Sequence, residues 1–214
     1  MPEYTFREAT ENDVDYIVQA IIEAEKSGTD ILSYSRIFDL PEQEIRDLFH
    51  QMLLEGIDGC EFSIASYIVA VQNEQIAGTI GAWVENKEHP SSLVKANLLG
   101  YYLPRNSLLH ASAYSTVLSE LNIDHVKGAL SFVTVYISPE HRGHHLFEQL
   151  ADMHIRRNPG IRELSIQLMS NNYYAIKSYE RYGFEKCLEL KSSNELILTL
   201  LPFNEKILMN KRLK

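Results

Sequence analysis

Nowhere does the chain hold an apolar run near the roughly 18 residues that span a bilayer, so no membrane crossing is expected. The first ten residues, MPEYTFREAT, lack the apolar core of a secretory signal. Cysteine is scarce: Cys60 and Cys187 stand far apart and match neither metal nor redox spacing. With no export signal, both are expected as reduced thiols in the cytoplasm. Positive charge is in deficit too. The 20 Lys and Arg against 29 Asp and Glu leave a formal net charge of −9. That argues against a nucleic-acid partner and suits a small ligand, a cationic one most readily. No repeat, low-complexity tract or linker interrupts the 214 residues, so 1–214 are expected to form a single domain.

What is present is an alternation of strand and helix patterns. Residues 4–9 (YTFREA) alternate as a half-buried strand does. Val14, Ile17, Val18, Ile21 and Ile22 then form one helical stripe behind an Asp or Asn cap. Residues 27–40 are turn-rich, and Pro41 opens a second helix. Residues 67–71 and 76–85 read as a hairpin turned by QNEQ. Between 86 and 127, two stretches of helical spacing, 93–103 and 108–121, are separated by PRNS. The run GALSFVTVYI is apolar on both faces, as a strand inside a covered sheet is. A helix burying Leu146, Phe147, Leu150, Ala151 and Ile155 follows, then the strand ELSIQLMS and the helix NNYYAIKSYERYG, stopped by Gly183. FEKCLEL and KILMNKRL read as final strands, and SNELILTLLPFN between them is ambiguous. The sum is one α/β domain.

Residues 137–150, ISPEHRGHHLFEQL, place a cationic knot of His141, Arg142, Gly143, His144 and His145 where the buried strand hands over to a helix. The first turn of a helix offers four N–H groups without intrahelical partners and the positive end of the macrodipole. After a buried strand, that arrangement receives a phosphate or pyrophosphate, and Arg142 and the imidazoles add donors. A basic residue also decorates many ordinary turns, so this pattern alone leaves a plain surface turn open. One strand downstream, NNYYAIKSYERYGF holds Asn172, Ala175, Tyr179, Gly183 and Phe184. Together with VYISPEHRG it resembles the GNAT superfamily of acyl-CoA-dependent N-acyltransferases. That family has a turn of the form Arg-x-x-Gly-x-Gly/Ala after a proline, and a later helix reading Asn-x-x-Ala-x-x-x-Tyr-x-x-x-Gly-Phe. Residues 130–184 carry nearly all of the resemblance.

The resemblance implies a central mixed, mostly antiparallel sheet of six to seven strands flanked by helices, from which this sequence departs by a helical insertion at 86–127 between the third and fourth strands. It implies N-acetyl transfer from acetyl-CoA to a primary amine of a small molecule, protein or peptide. Backbone groups of Val135, Tyr136 and Ile137 would pair with the pantetheine arm. The N–H groups of Arg142, Gly143, His144, His145, Leu146 and Phe147 would hold the pyrophosphate. Asn172 would lie near the pantetheine, and Tyr179 would serve the departing sulfur as the catalytic donor. The sequence departs from the family at His145 and Phe147, which stand where glycine or alanine is usual. With ordinary helical dihedrals His145 could still present its N–H, and Phe147 is expected to face the core.

The same residues admit plainer readings. Tyr179 shares a stripe with Ala175, Ile176 and Tyr182, which by periodicity alone is a core stripe. Asn172 can simply cap its helix. His141, His144 and His145 match no zinc signature, and Arg142 among them repels a cation, so no metal is expected. A non-catalytic acyl-CoA-binding sensor or interaction module is the alternative from another class. The strand 130–137 contains no carboxylate, so it supplies no general base. Glu85 is a candidate acting through water, although a strand-end carboxylate is usually solvated. The insertion is too apolar for disorder and is expected to shape the acceptor site or an oligomer interface, such as that of a homodimer.

Overall fold

In the computed structural model, which describes residues 3–86 and 88–213, the alternating amino-terminal stretch becomes the edge strand β1 (Thr5–Glu8). It pairs antiparallel with β2 (Tyr67–Gln72), the first arm of the expected hairpin; the second is β3 (Gln75–Val84). Antiparallel to β3 runs β4 (Leu130–Ile137), and parallel to β4 runs β5 (Glu163–Met169). The sheet closes with β7 (Glu205–Arg212) and, outermost, β6 (Glu185–Lys191), giving the order β1-β2-β3-β4-β5-β7-β6. This is the mixed, mostly antiparallel sheet that was expected, with β4 near its middle.

Both faces of the sheet are covered. The apolar stripe of α1 (Val14–Lys26) lies across β4, and α2 (Ser33–Phe38), α3 (Glu42–Leu54) and α4 (Ser91–Tyr102) pack with it around Tyr34, Phe49, Phe62 and Tyr67. On the opposite face α7 (Leu146–Arg157) and α8 (Tyr173–Tyr182) bury Leu146, Phe147, Leu150 and Tyr179 against Phe132, Ile166 and Ile207. His154 of α7 is sealed in this core, where its Nε2–H donates to the Ile80 carbonyl at 2.9 Å. Burial pushes its imidazole down to about 4, so it is neutral at physiological pH.

Three local outcomes differ from the sequence reading. The turn-rich stretch contains α2, a six-residue helix held by burial of Tyr34 and Phe38. The single helix expected over 108–121 begins earlier and breaks at Tyr114, giving α5 (Arg105–Ala113) and α6 (Ser115–Ser119). There the Ser112 hydroxyl donates back to the Leu109 carbonyl, which competes with a continuous helix. The ambiguous segment before β7 holds the short α9 (Ile197–Leu200), whose Ile197 and Leu200 are buried beside Leu121. No helix among the described residues is long and apolar enough to cross a membrane.

Candidate active site

The β4–β5 pairing covers only Leu130–Phe132 against Leu164–Ile166. Beyond that point the two parallel strands separate, and Val133–Ile137 keep β3 on one edge while the other faces an opening. A bulge marks the parting. Thr79 and Gly81 of β3 face Tyr136 and Val133 of β4, so Ile80 alone opposes Thr134 and Val135, and Thr134 takes φ +45°. A β-branched residue in that region is strained, and the neighbourhood holds it there. The Tyr67 hydroxyl reaches the Thr134 hydroxyl at 3.3 Å and donates to the Glu61 carbonyl at 2.7 Å. Its ring lies over Gly81, where a Cβ would come within 2.8 Å of Cε1.

Past β4 the chain makes a short 3₁₀ turn, Pro139–His141, then enters α7 through Gly143 at φ +84° and His145 at φ +57°. Six successive backbone N–H groups, Gly143 to Glu148, make no hydrogen bond among the described residues. A helix start ordinarily leaves four such donors; here the left-handed residues add two more. His145 therefore does not take the ordinary helical dihedrals expected of it. It adopts the conformation that glycine favours, and its side chain, 81% exposed, stands beside Glu148 at 3.4 Å. Phe147 is turned into the core against the Tyr179 ring, 5.0 Å between centroids. Arg142 folds back, its Nε–H donating to the Ile137 carbonyl at 3.2 Å. His141 meets the Tyr4 hydroxyl at 3.1 Å, which ties the turn to the start of the chain.

Asn172 caps α8 by accepting from the Ala175 N–H at 3.2 Å. Tyr179 is 5% exposed and packed by Phe147 and Phe184. Its hydroxyl has no hydrogen-bond partner among the described residues. The only sealed and unpartnered side-chain polar atoms among them are on Ser35 and Asn210, so the Tyr179 oxygen keeps contact with solvent. Burial pushes its phenol well above the usual range, so it holds its proton.

On the α1 side of the opening lies a recess walled by charge. Lys95 of α4 forms an ion pair with Glu61, and the Tyr34 hydroxyl donates to the same carboxylate at 3.3 Å. Side-chain exposures of 34% for Lys95 and 15% for Glu61 fit groups enclosed by protein yet reachable from outside. Burial alone would raise the Glu61 carboxyl; the Lys95 charge outweighs it and holds the group below the usual carboxylate range. Glu25 and Lys206 share this environment, and neither has an ion-pair partner among the described residues. Burial raises the Glu25 carboxyl and lowers the Lys206 ammonium. Among the described residues no group of three or more His, Cys, Asp and Glu is placed to hold a metal ion.

A family model described as "Acetyltransferase (GNAT) family" matches residues 33–184. The chain belongs to the GNAT acetyltransferase family. A comparison with curated proteins returned no match in sequence. In fold, the chain is similar to an N-acetyltransferase from Staphylococcus aureus Mu50, at 15% identity and TM-score 0.68 over 96% of this chain and 99% of the other. It is also similar to an agmatine N-acetyltransferase, at 14% identity and TM-score 0.59 over 98% and 99%. A Salmonella typhimurium protein solved with its cofactor acetyl-CoA aligns at 14% identity and TM-score 0.55 over 99% and 95%. Membership carries acetyl-CoA-dependent acetyl transfer with it, so this GNAT domain is an enzyme.

The fold brings the expected GNAT residues around one opening. Val135, Tyr136 and Ile137 lie on the unpaired edge of β4, the turn from Arg142 to Phe147 stands just beyond, and Tyr179 and Asn172 come from α8. Glu85 is elsewhere in character. It is not a solvated strand end but is 4% exposed, accepting from the Trp83 indole N–H at 3.0 Å and the Ser91 N–H at 2.9 Å, where it caps α4. Burial alone would raise its carboxyl, and those donors outweigh it and keep the group ionised. The reading of Glu85 as a base is set aside because its oxygens are engaged. Sequence reasoning missed Glu25, Tyr34, Glu61, Lys95 and Lys206. The one signal for Glu25 was its position three and four residues beyond Ile22 and Ile21, on the buried stripe of α1.

Proposed function

We propose that the protein transfers the acetyl group of acetyl-CoA to a primary amine of a small molecule or peptide, with the amine entering by the recess. The observation that carries the donor half is the six-amide cradle beside the unpaired edge of β4. These residues fit coenzyme A: consecutive N–H groups at a helix start suit a pyrophosphate, and an unpaired strand edge suits an amide-bearing arm. Acetyl-CoA, when bound, supplies an activated thioester.

The chain's own groups then divide the work. Glu25 removes the proton from the incoming ammonium. At neutral pH that step costs on the order of 4–5 kcal/mol for a lysine-like amine, and a carboxylate with a raised pKa lowers the cost. Backbone N–H groups of Val133–Ile137 receive the negative charge that develops on the carbonyl oxygen as the nitrogen attacks carbon. Tyr179 hydrogen-bonds the sulfur as the C–S bond breaks, and the thiolate takes up a proton. The balance is one thioester and one ammonium consumed, and one amide, one thiol and one proton formed. Asn172 holds the start of α8 in place while its remaining polar edge faces the pantetheine.

The agmatine N-acetyltransferase among the structural neighbours supports a small primary amine as the acceptor class. Acetyl-CoA-dependent thiol release across polyamines, aminoglycosides, amino acids and amino-terminal peptides tests the proposal. The expected result is release with at least one group; acetyl-CoA binding without release from any would favour an acyl-CoA sensor. The outward side of the insertion exposes Leu93, Tyr101 and Leu109. A homodimer would use that surface, which light scattering at micromolar protein tests.

A further inference from the structure

Two opposite charges in the recess remain without a direct partner. Glu25 continues the buried stripe of α1. Lys206 shares a face of β7 with Leu208, away from Ile207 and Met209, which are buried under α7 and α8. Both stand over the same place. The end of α1 is tied to the end of β5 by two Ser27–Asn171 hydrogen bonds of 3.2 Å, and Lys206 pairs across the sheet with Met169, the last residue of β5. Glu61 and Lys95 satisfy each other, with Tyr34 adding to the pair. The Glu25 carboxyl, beside the Ser33 hydroxyl, and the Lys206 ammonium make no ion pair among the described residues.

Enclosing an ammonium without a counter-ion is costly. A purely cationic acceptor would worsen matters, adding one or more positive charges to Lys95 and Lys206. A neutral amine would leave Lys206 without a counter-ion in contact. We infer that the acceptor is an amine that also carries a carboxylate, an amino acid or close relative, whose ammonium meets Glu25 and whose carboxylate meets Lys206. This rests on reading the recess as the acceptor site. The gap between Glu25 and Lys206 is the complement of such a zwitterion, negative where the ligand is positive and positive where it is negative. The directions in which burial moves the two groups agree with this, because an opposite charge from a ligand would reverse each shift.

Calorimetry on the full chain with coenzyme A present tests this with pairs differing only in the carboxylate: arginine and agmatine, lysine and cadaverine, phenylalanine and phenethylamine. The expected result is that the amino acid of at least one pair binds about tenfold or more tighter than its decarboxylated partner. Lys206→Met should abolish that preference, with the decarboxylated partner binding as tightly or tighter because a like charge is gone, and Lys206→Arg should restore part of it. Decarboxylated partners binding as tightly in every pair, no binding of any amino acid, or an unchanged preference in Lys206→Met would each overturn the inference. Thiol release separates the two levels. Release without a carboxylate preference leaves the transfer reading standing and removes this inference. A preference without release from any amine does the reverse.

Discussion

On one side of the gap between β4 and β5, the proposed binding groups are main-chain amides in six consecutive residues, Gly143–Glu148, without hydrogen-bond partners among the described residues and fixed by backbone geometry. On the other side they are side chains from widely separated positions, Glu25, Tyr34, Glu61, Lys95 and Lys206, gathered by tertiary packing. On the proposed reading the amide side tolerates side-chain change, such as His145 and Phe147, provided the backbone keeps its shape. The charged side tolerates little, because each group sits in the field of the others. A donor common to a whole family needs only the first kind of site. An acceptor particular to one enzyme needs the second.

The comparison breaks most readily at Gly143. A β-branched residue cannot hold φ +84° without strain of about 1–3 kcal/mol. Gly143→Val should therefore weaken acetyl-CoA binding by about 10- to 100-fold in calorimetry. Equal affinity would show that the amide cradle is not used. Next in size is Tyr179→Phe, which removes the hydroxyl and keeps the ring packed on Phe147 and Phe184. Turnover should fall by roughly 10- to 100-fold with acetyl-CoA affinity within about twofold; equal turnover returns Tyr179 to the core.

Proton dependence should also divide the two sides. Glu25 must be ionised to act as base, and burial raises its pKa, so turnover should decline as pH falls through a value above the ordinary 4.5. Glu25→Gln should be slow and lack that acid limb. Unfolding must be separated from it. His154 titrates at about 4 when folded and near 6.5 when unfolded, so below 6.5 the unfolded chain binds a proton that the folded chain refuses. About 3 kcal/mol of stability should drain away between those values, measurable by urea midpoints from pH 7 to 4 and absent in His154→Gln. The smallest effects belong to exposed parts of the turn. Arg142→Ala should weaken acetyl-CoA binding by about two- to fivefold without shifting the melting temperature. His145→Gly should raise stability by up to about 1 kcal/mol by relieving its left-handed backbone.

This division also explains what could be read from the chain before folding. The turn and the Asn172–Phe184 helix are contiguous, so their spacing carries their geometry and the strands around them declare themselves by pattern. The bulge at Thr134 and the left-handed His145 were invisible, because nothing in those residue types announces a positive φ. Glu85 read as a strand end open to water, yet α4 returns to cover it and takes its oxygens as a cap. Lys95 lies in a stretch that showed only helical spacing, and Lys206 in one that showed only a strand. Their meeting with Glu61 and Glu25 depends on how layers stack, which periodicity does not encode.

Everything rests on backbone N–H groups holding a diphosphate where β4 gives way to α7. The most direct measurement is an amide-resolved NMR titration with coenzyme A, following chemical shift and hydrogen exchange at Gly143–Glu148. The account predicts that these six amides show the largest shifts in the chain and the greatest slowing of exchange. Saturable binding of coenzyme A that leaves them unmoved would contradict it.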